Sequence, residues 1–214
     1  MLKIIRDFIP VGRTNRPAGK NQMKYITIHE TDNTDRGANA RAHAAYLKDG
    51  AAEAKVSWHY TVDSDGAYQH LPDNESAFHA GDGRSGTGNS QSISMELCVN
   101  SDGNFNKTVQ NAAELVRRLM AAHDVPIGNV VQHNYWNGKD CPGTIRHTGK
   151  WKAFLDMCRE VKPVENNKNI PSAWAKAAWD KAIAKKIVDG TRPHEACTRE
   201  EVAVILDRIG ALSK

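Results

Sequence analysis

The sequence predicts a mixed α/β fold with a central β-sheet flanked by helices, followed by a small α-helical C-terminal domain. Short β-type runs alternate with helical patterns as far as Val161, a polar segment bracketed by prolines follows, and only helical periodicity lies beyond it. With 214 residues and 40% hydrophobic content, the chain can form one domain of ordinary size and a small appendage.

Several short runs with strand-like composition are expected to form the sheet. They are bounded by turn signals and lie at residues 25–28, 57–62, 67–70, 93–99 and 130–132. The turn Ser-Asp-Gly at residues 64–66 predicts a hairpin between the second run and the third. Within residues 93–99, strand alternation would place Ser94, Glu96 and Cys98 on one face.

The helices of the larger domain are predicted from spacing and composition. Apolar residues recur at helical intervals after Asn106 and again over residues 151–161, so both segments can cover a face of the sheet. Residues 38–48 are rich in alanine and have high helix propensity, and Asp49-Gly50 is a suitable end for that helix.

A domain boundary is predicted where the composition changes. Residues 163–171 are polar and bracketed by prolines, which is typical of a linker, and they divide a domain at 1–162 from one at 172–214. In the smaller domain, residues 172–186 are predicted to be helical, and Thr198 begins a second helix through a capping box closed by Glu201. So short a unit has little interior with which to bury its apolar stripe.

Charge and composition exclude some classes of function. The net charge of +4 comes without a block of five or six like charges, which argues against nucleic-acid binding. The apolar runs are too short for membrane insertion, and charges interrupt the N-terminus before a signal peptide develops. Synthesis in the host cytoplasm is therefore expected, and the scattered Cys98, Cys141, Cys158 and Cys197 are interpreted as reduced thiols.

The residues His29, His133 and Cys141 have the composition of a zinc site. His29 directly follows the run at 25–28, and seven residues separate His133 from Cys141. Two imidazoles and a thiolate suit Zn²⁺, and three protein ligands leave a fourth position for water, as in catalytic zinc sites. The pattern indicates a metal-assisted hydrolase.

Two charged residues are candidates for the remaining chemistry. A carboxylate within a strand is unusual, and if its face lines the metal cleft, Glu96 can take a proton from the attacking water and deliver it to the leaving amine. Lys139, two residues before Cys141, is placed to stabilise negative charge on the carbonyl oxygen. The structural alternative for Glu96 is an exposed strand carboxylate paired with an arginine. For Lys139 it is a charged loop residue without a catalytic role.

At these residues the sequence resembles the zinc-dependent N-acetylmuramoyl-L-alanine amidases of the type-2 amidase family, which also contains peptidoglycan recognition proteins. The resemblance covers residues 20–160 and rests on ordered segments. They are Ile28-His29, Trp58-His59-Tyr60, Phe78-His79-Ala80-Gly81, the Ser-Ile-Ser-Met-Glu-Leu strand at 92–97, and His133 followed by Lys139-Asp140-Cys141-Pro142-Gly143.

The resemblance implies a role for each candidate residue. It implies that the two histidines and the cysteine bind zinc, that Glu96 is the acid/base, and that Lys139 supports the transition state. His79 would lie in the loop that borders the substrate groove. Trp58 stands where several relatives have a catalytic tyrosine, so proton transfer falls on Glu96 and Trp58 is left as a substrate-binding candidate. Arg84 could meet a peptide carboxylate of the substrate.

The tail resembles one S-layer-homology repeat, with its cues at residues 182–183, 187–190 and 198–203. That resemblance implies a wall-binding module whose partner is peptidoglycan or a secondary wall polymer.

The residues indicate zinc-hydroxide hydrolysis, and the resemblance implies a peptidoglycan hydrolase that cuts the amide between N-acetylmuramic acid and L-alanine. The setting is a phage or prophage endolysin, which acts on the bacterial wall after release. The alternatives are a non-catalytic recognition protein, a cytoplasmic wall-recycling amidase and a zinc peptidase that cuts within the stem peptide. Cys141, Glu96 and Lys139 argue against the recognition protein.

For two aromatic residues near the presumed cleft, the sequence does not decide between a structural and a functional role. His59 is the strongest exception to a structural reading of the remaining histidines, because it adjoins the cleft strand. Trp136 is either a sugar-stacking platform or a loop anchor.

Overall fold

The computed structural model describes residues 2–49, 51, 53–159, 171–172, 175–191, 195 and 197–212. The chain divides into two units, Met1–Glu160 and Val161–Lys214. The predicted linker at 163–171 lies outside the described residues except for Pro171.

A six-stranded mixed sheet forms the centre of the first unit. Its strand order is β1-β4-β3-β5-β2-β6, and every neighbouring pair is parallel except the β3–β4 hairpin, which the turn at residues 64–66 predicted. The strands are β1 (Ile4–Arg6), β2 (Tyr25–Glu30), β3 (Tyr60–Val62), β4 (Ala67–Gln69), β5 (Ser92–Leu97) and β6 (Val130–Gln132). The sequence did not predict β1, and β3 is shorter than the run at 57–62.

Six helices of this unit are described, together with a 3₁₀ turn at Ile127–Asn129. They are α1 (Ala40–Asp49), α2 (Thr87–Gln91), α3 (Phe105–His123), α4 (Asn134–Asn137), α5 (Gly143–His147) and α6 (Trp151–Arg159). The longest, α3, begins where the Asn104 side chain accepts a hydrogen bond from the Lys107 backbone and ends at Asp124 in the left-handed conformation. The helices predicted at 38–48, after Asn106 and at 151–161 correspond to α1, α3 and α6.

The two faces of the central strands have different environments. Alternate residues of β2 and β5, such as Ile28 and Met95, are fully buried in a core that also contains Val116 of α3 and Phe154 of α6. Because strand side chains alternate, the intervening residues face the other side. On that side the chain places polar residues, among them His29.

The second unit contains α7 (Lys176–Ala184) and α8 (Arg199–Arg208). The predicted capping box is present, since Thr198 Oγ1 accepts from the Glu201 backbone N–H at 3.1 Å and the Glu201 carboxylate accepts from the Thr198 N–H at 2.8 Å. Neither helix has a buried residue among those described, and Val202 and Ile209 are exposed. Within the described ranges, no helix combines the length and apolar character needed to cross a bilayer.

Candidate metal and catalytic site

Three neighbouring parallel strands bring the candidate residues to one edge of the sheet. His29 is paired in register with Glu96 near the carboxyl ends of β2 and β5. His133 directly follows β6, which pairs with β2 on its other side, and its backbone N–H donates to the Ile28 carbonyl at 3.1 Å. Carboxyl ends of parallel strands commonly form binding crevices. The topology therefore explains why residues distant in sequence meet here.

The three predicted zinc ligands lie close together and are buried. Their ligand atoms are all within 4.8 Å of one another, and His29 Nδ1 is 3.9 Å from Cys141 Sγ. His29, His133 and Cys141 are 2%, 5% and 5% exposed. His29 Nδ1 also lies 3.9 Å from the Glu96 carboxylate, so this nitrogen faces the centre of the cluster.

The chemistry of this cluster fits a zinc ion. Both ring nitrogens of His133 are buried and have no hydrogen-bond partner among the described residues, which is unfavourable unless a ligand satisfies one of them. Burial lowers the pKa of His29 and of His133, and the charge of Lys139 adds to the effect, so both imidazoles are neutral as a metal requires. Two imidazoles and one thiolate suit a borderline-soft divalent ion such as Zn²⁺, and three protein ligands leave a fourth position for water, as in catalytic zinc sites.

The Cys141 thiol is held in its protonated form without a metal. Burial raises its pKa to about 12, and the nearby Glu96 carboxylate adds to the rise, whereas a hydrogen bond from the Glu30 backbone and the charge of Lys139 oppose it. A zinc ion binds the thiolate, so metal binding at this site would release a proton.

The segment that carries Cys141 is anchored by Glu30, a residue that sequence reasoning missed. The Glu30 carboxylate is 8% exposed and accepts hydrogen bonds from the backbone N–H groups of Thr144 at 2.7 Å and Ile145 at 3.0 Å, at the start of α5. Carboxylates are favourable at helix N-termini. The sequence feature that could have identified Glu30 is the presence of an acidic residue in an apolar strand, directly after His29.

We expect Glu30→Gln to lower the free energy of unfolding by about 1–3 kcal/mol, because an amide can accept only one of the two hydrogen bonds and loses the charge. Urea denaturation of the metal-free protein measures this. Glu53→Gln, at an exposed carboxylate, is the matched control and should change the stability little. Equal unfolding midpoints for the two variants would show that Glu30 is not an anchor.

Glu96 has the environment of a proton-transfer group. Its side chain is 14% exposed, one carboxylate oxygen faces His29, and the other is buried without a partner in the described part of the chain. Burial raises the pKa of Glu96 to about 8, while the positive charge of Lys139 opposes the rise. A carboxyl group that titrates near neutral pH can both accept and donate a proton.

Lys139 lies on the open side of the site. It is exposed, and its backbone N–H donates to the Asn137 side chain at 2.9 Å. Its positive charge acts on the pKa of His29, His133 and Glu96, so it lies within electrostatic range of all three. An ammonium group in this position can meet negative charge that develops beside the cluster.

The three predicted substrate-binding residues have different placements. His79 contacts one of the candidate metal ligands, with its Nδ1 3.0 Å from His29 Nε2. Trp58 is only 8% exposed, packs in an apolar cluster with Leu47 of α1, and donates its indole N–H to Thr61 Oγ1 at 2.7 Å. Arg84 is exposed and donates to the Pro17 carbonyl at 3.0 Å. Substrate contact by these side chains stays a prediction, and burial favours a packing role for Trp58.

The structure distinguishes between the alternative roles of His59 and Trp136. His59 is fully buried, and its ring nitrogens are bonded to Ser94 Oγ at 2.9 Å and to the Glu75 carbonyl at 2.8 Å, so it is a satisfied structural histidine. The Trp136 indole N–H donates to Thr27 Oγ1 at 2.9 Å, and its ring packs edge-on against Tyr25. These contacts favour the loop anchor.

Comparisons with known proteins identify the relatives of this chain. Residues 19–144 match the family described as N-acetylmuramoyl-L-alanine amidase, Amidase_2. The N-acetylmuramoyl-L-alanine amidase XlyA of Bacillus subtilis is 51% identical over 154 residues, which are 72% of this chain and 50% of XlyA. The amidase CwlH of the same species is 43% identical over 173 residues, which are 80% of this chain and 68% of CwlH. The match therefore spans about half the length of XlyA.

A solved structure supports the same assignment. The structure described as a mutant endolysin from Bacillus subtilis superposes with a TM-score of 0.70 and 49% identity, and the match covers 74% of this chain and 99% of that one. The predicted α/β fold with a central mixed sheet flanked by helices is thereby confirmed. Since the family match extends over more than half of the sequence and the relatives share its fold, the chain belongs to the N-acetylmuramoyl-L-alanine amidase family.

Proposed function

We propose that this chain is a zinc-dependent peptidoglycan hydrolase that cuts the amide between N-acetylmuramic acid and the L-alanine of the stem peptide. The bond is proposed because the relatives are N-acetylmuramoyl-L-alanine amidases. The observation that carries the proposal is the joint position of two neutral imidazoles, one thiol and Glu96 at one sheet edge. Family membership alone would also fit a protein that binds the wall without cleaving it.

The residues of the cluster divide the work of amide hydrolysis. His29, His133 and Cys141 would hold the zinc, which when bound supplies Lewis acidity to the scissile carbonyl and to the attacking water. Glu96 takes the proton of that water as the new carbon–oxygen bond forms. It then delivers the proton to the amine nitrogen as the carbon–nitrogen bond breaks. The Lys139 ammonium group stabilises the negative charge on the carbonyl oxygen between these steps.

The metal requirement has a direct test. Purified protein should contain one zinc per chain, and dialysis against a chelator should abolish the clearing of a cell-wall suspension. Added zinc should restore it. Clearing by a verified metal-free protein would refute the zinc mechanism.

We further propose that the second unit holds the enzyme on its polymer, as the resemblance to an S-layer-homology repeat implies. A cavity of about 600 Å³ in this unit and the exposed apolar residues of α8 are consistent with a binding module. The likeness to a structure described as an endolysin supports action on the wall after release from the host cell.

Removal of residues 163–214 should reduce adsorption to purified cell walls several-fold, while hydrolysis of soluble wall fragments stays near the level of the full chain. Pelleting the walls and measuring the protein left in solution tests this. Unchanged adsorption by the shortened protein would show that the tail is not the binding module.

A further inference from the structure

We infer that His79 is a positioning residue that fixes the imidazole of the zinc ligand His29 through a hydrogen bond to its outer nitrogen. The inference rests on the proposed zinc site and extends it to a residue outside the ligand set. It replaces a groove-lining role for His79 with one in metal affinity.

The first step is to decide which nitrogen of His29 would bind zinc. Nδ1 lies 3.9 Å from Cys141 Sγ and 3.9 Å from the Glu96 carboxylate, so it faces the cluster. Nε2 points away from it, 3.0 Å from His79 Nδ1. Zinc binds an imidazole through an unprotonated nitrogen, so the proton of a neutral His29 must be on Nε2.

The second step is to assign the tautomer of His79 from the proton on His29 Nε2. Because His29 Nε2 donates, His79 Nδ1 must accept, and the proton of neutral His79 is then on its own Nε2. The two rings are nearly perpendicular, with an interplanar angle of 88° and centroids 5.1 Å apart. This contact sets both the tautomer and the rotation of the His29 ring, as outer partners of metal-bound histidines generally do.

The third step is that His79 is itself held in place. The backbone N–H groups of His79 and Ala80 both donate to the Asn89 side-chain oxygen at 2.8 Å. Asn89 is 3% exposed, and its amide donates to the Gly83 carbonyl at 3.0 Å. The buried Asn89 side chain therefore holds the backbone at His79 and Ala80 against the loop at Gly83, which limits movement of the segment that carries the accepting nitrogen.

Substitutions at position 79 can separate this role from contact with substrate. In His79→Asn, the amide oxygen occupies nearly the position of Nδ1 and can still accept the proton. His79→Leu has no acceptor. His79→Gln keeps a polar amide but carries it one methylene further, so its oxygen cannot take the Nδ1 position without displacing the ring of His29.

The experiment measures zinc affinity of the full chain by competition with a chromogenic chelator, after circular dichroism has shown that each metal-free variant is folded. We expect His79→Leu and His79→Gln to bind zinc roughly 10- to 100-fold more weakly than the wild type, the usual loss on removing an outer partner of a metal ligand. His79→Asn should stay close to the wild-type value. The Co²⁺ absorption spectrum should change in the first two variants only.

The opposite pattern would overturn the inference. If His79→Leu and His79→Gln bound zinc as tightly as the wild type and only KM for wall fragments rose, His79 would be a substrate contact. A wild-type protein that bound no zinc would overturn the proposed function itself, and this control separates the two failures.

Discussion

Replacement of Cys141 by serine is expected to weaken zinc binding by more than 100-fold and to remove wall hydrolysis with it. Removal of an outer partner of a metal ligand typically weakens binding by roughly 10- to 100-fold, and loss of a direct ligand should exceed that. Serine is close to cysteine in size, so the buried position can accept it, but its hydroxyl does not ionise to give a soft anionic donor. Metal analysis after gel filtration and a chelator competition measure the change.

The control for this variant is Cys197→Ser, which removes an exposed thiol of the second unit. It should keep the zinc content of the wild type and its hydrolytic rate on soluble wall fragments. Full zinc occupancy in Cys141→Ser would show that the cysteine is not a ligand, and the candidate site would have to be reassigned.

Glu96→Gln is expected to lower kcat by about 10²- to 10⁴-fold and to leave zinc affinity within a few-fold of the wild type. The amide preserves the size of the side chain but cannot take a proton from water at neutral pH. His29, His133 and Cys141 are unchanged, so the metal should stay bound. Single-turnover hydrolysis of a soluble muropeptide, with zinc content measured in the same sample, separates the two effects.

Glu114→Gln provides the matched control, because it neutralises a part-buried carboxylate that pairs with Arg118 on α3. It should leave kcat near the wild-type value. If Glu96→Gln turned over at the wild-type rate with zinc bound, the proton would have to be carried by another group.

The longest elements of the fold could be predicted from sequence because they have enough residues to show a pattern, and the three-residue strands β4 and β6 were predicted from the turn signals that bound them. The buried strands β2 and β5 and the long helix α3 have clear periodicity, because one face of each packs into a continuous core. The strand β1 has only three residues and is defined by its pairing with β4. The short helices α4 and α5 depend on tertiary contacts, such as the hydrogen bonds from α5 to Glu30.

In the site, too, the features that depend on tertiary contacts could not be predicted from sequence. His29, His133 and Cys141 could be selected from sequence because their residue types are those of zinc ligands. The contact of His79 with His29 joins residues 50 positions apart, and that of Glu30 with Thr144 joins residues 114 positions apart. Such contacts follow from the register of parallel strands and from loop paths, which no local pattern contains.

The most direct test of the central claim is digestion of purified peptidoglycan by the full chain, with and without a chelator, assaying new N-terminal residues and new reducing sugar ends in the same sample. We expect chelator-sensitive release of N-terminal L-alanine with no increase in reducing ends, since only the amide between sugar and peptide is cut. A different new N-terminal residue, or wall binding with no cleavage at all, would contradict the proposed amidase.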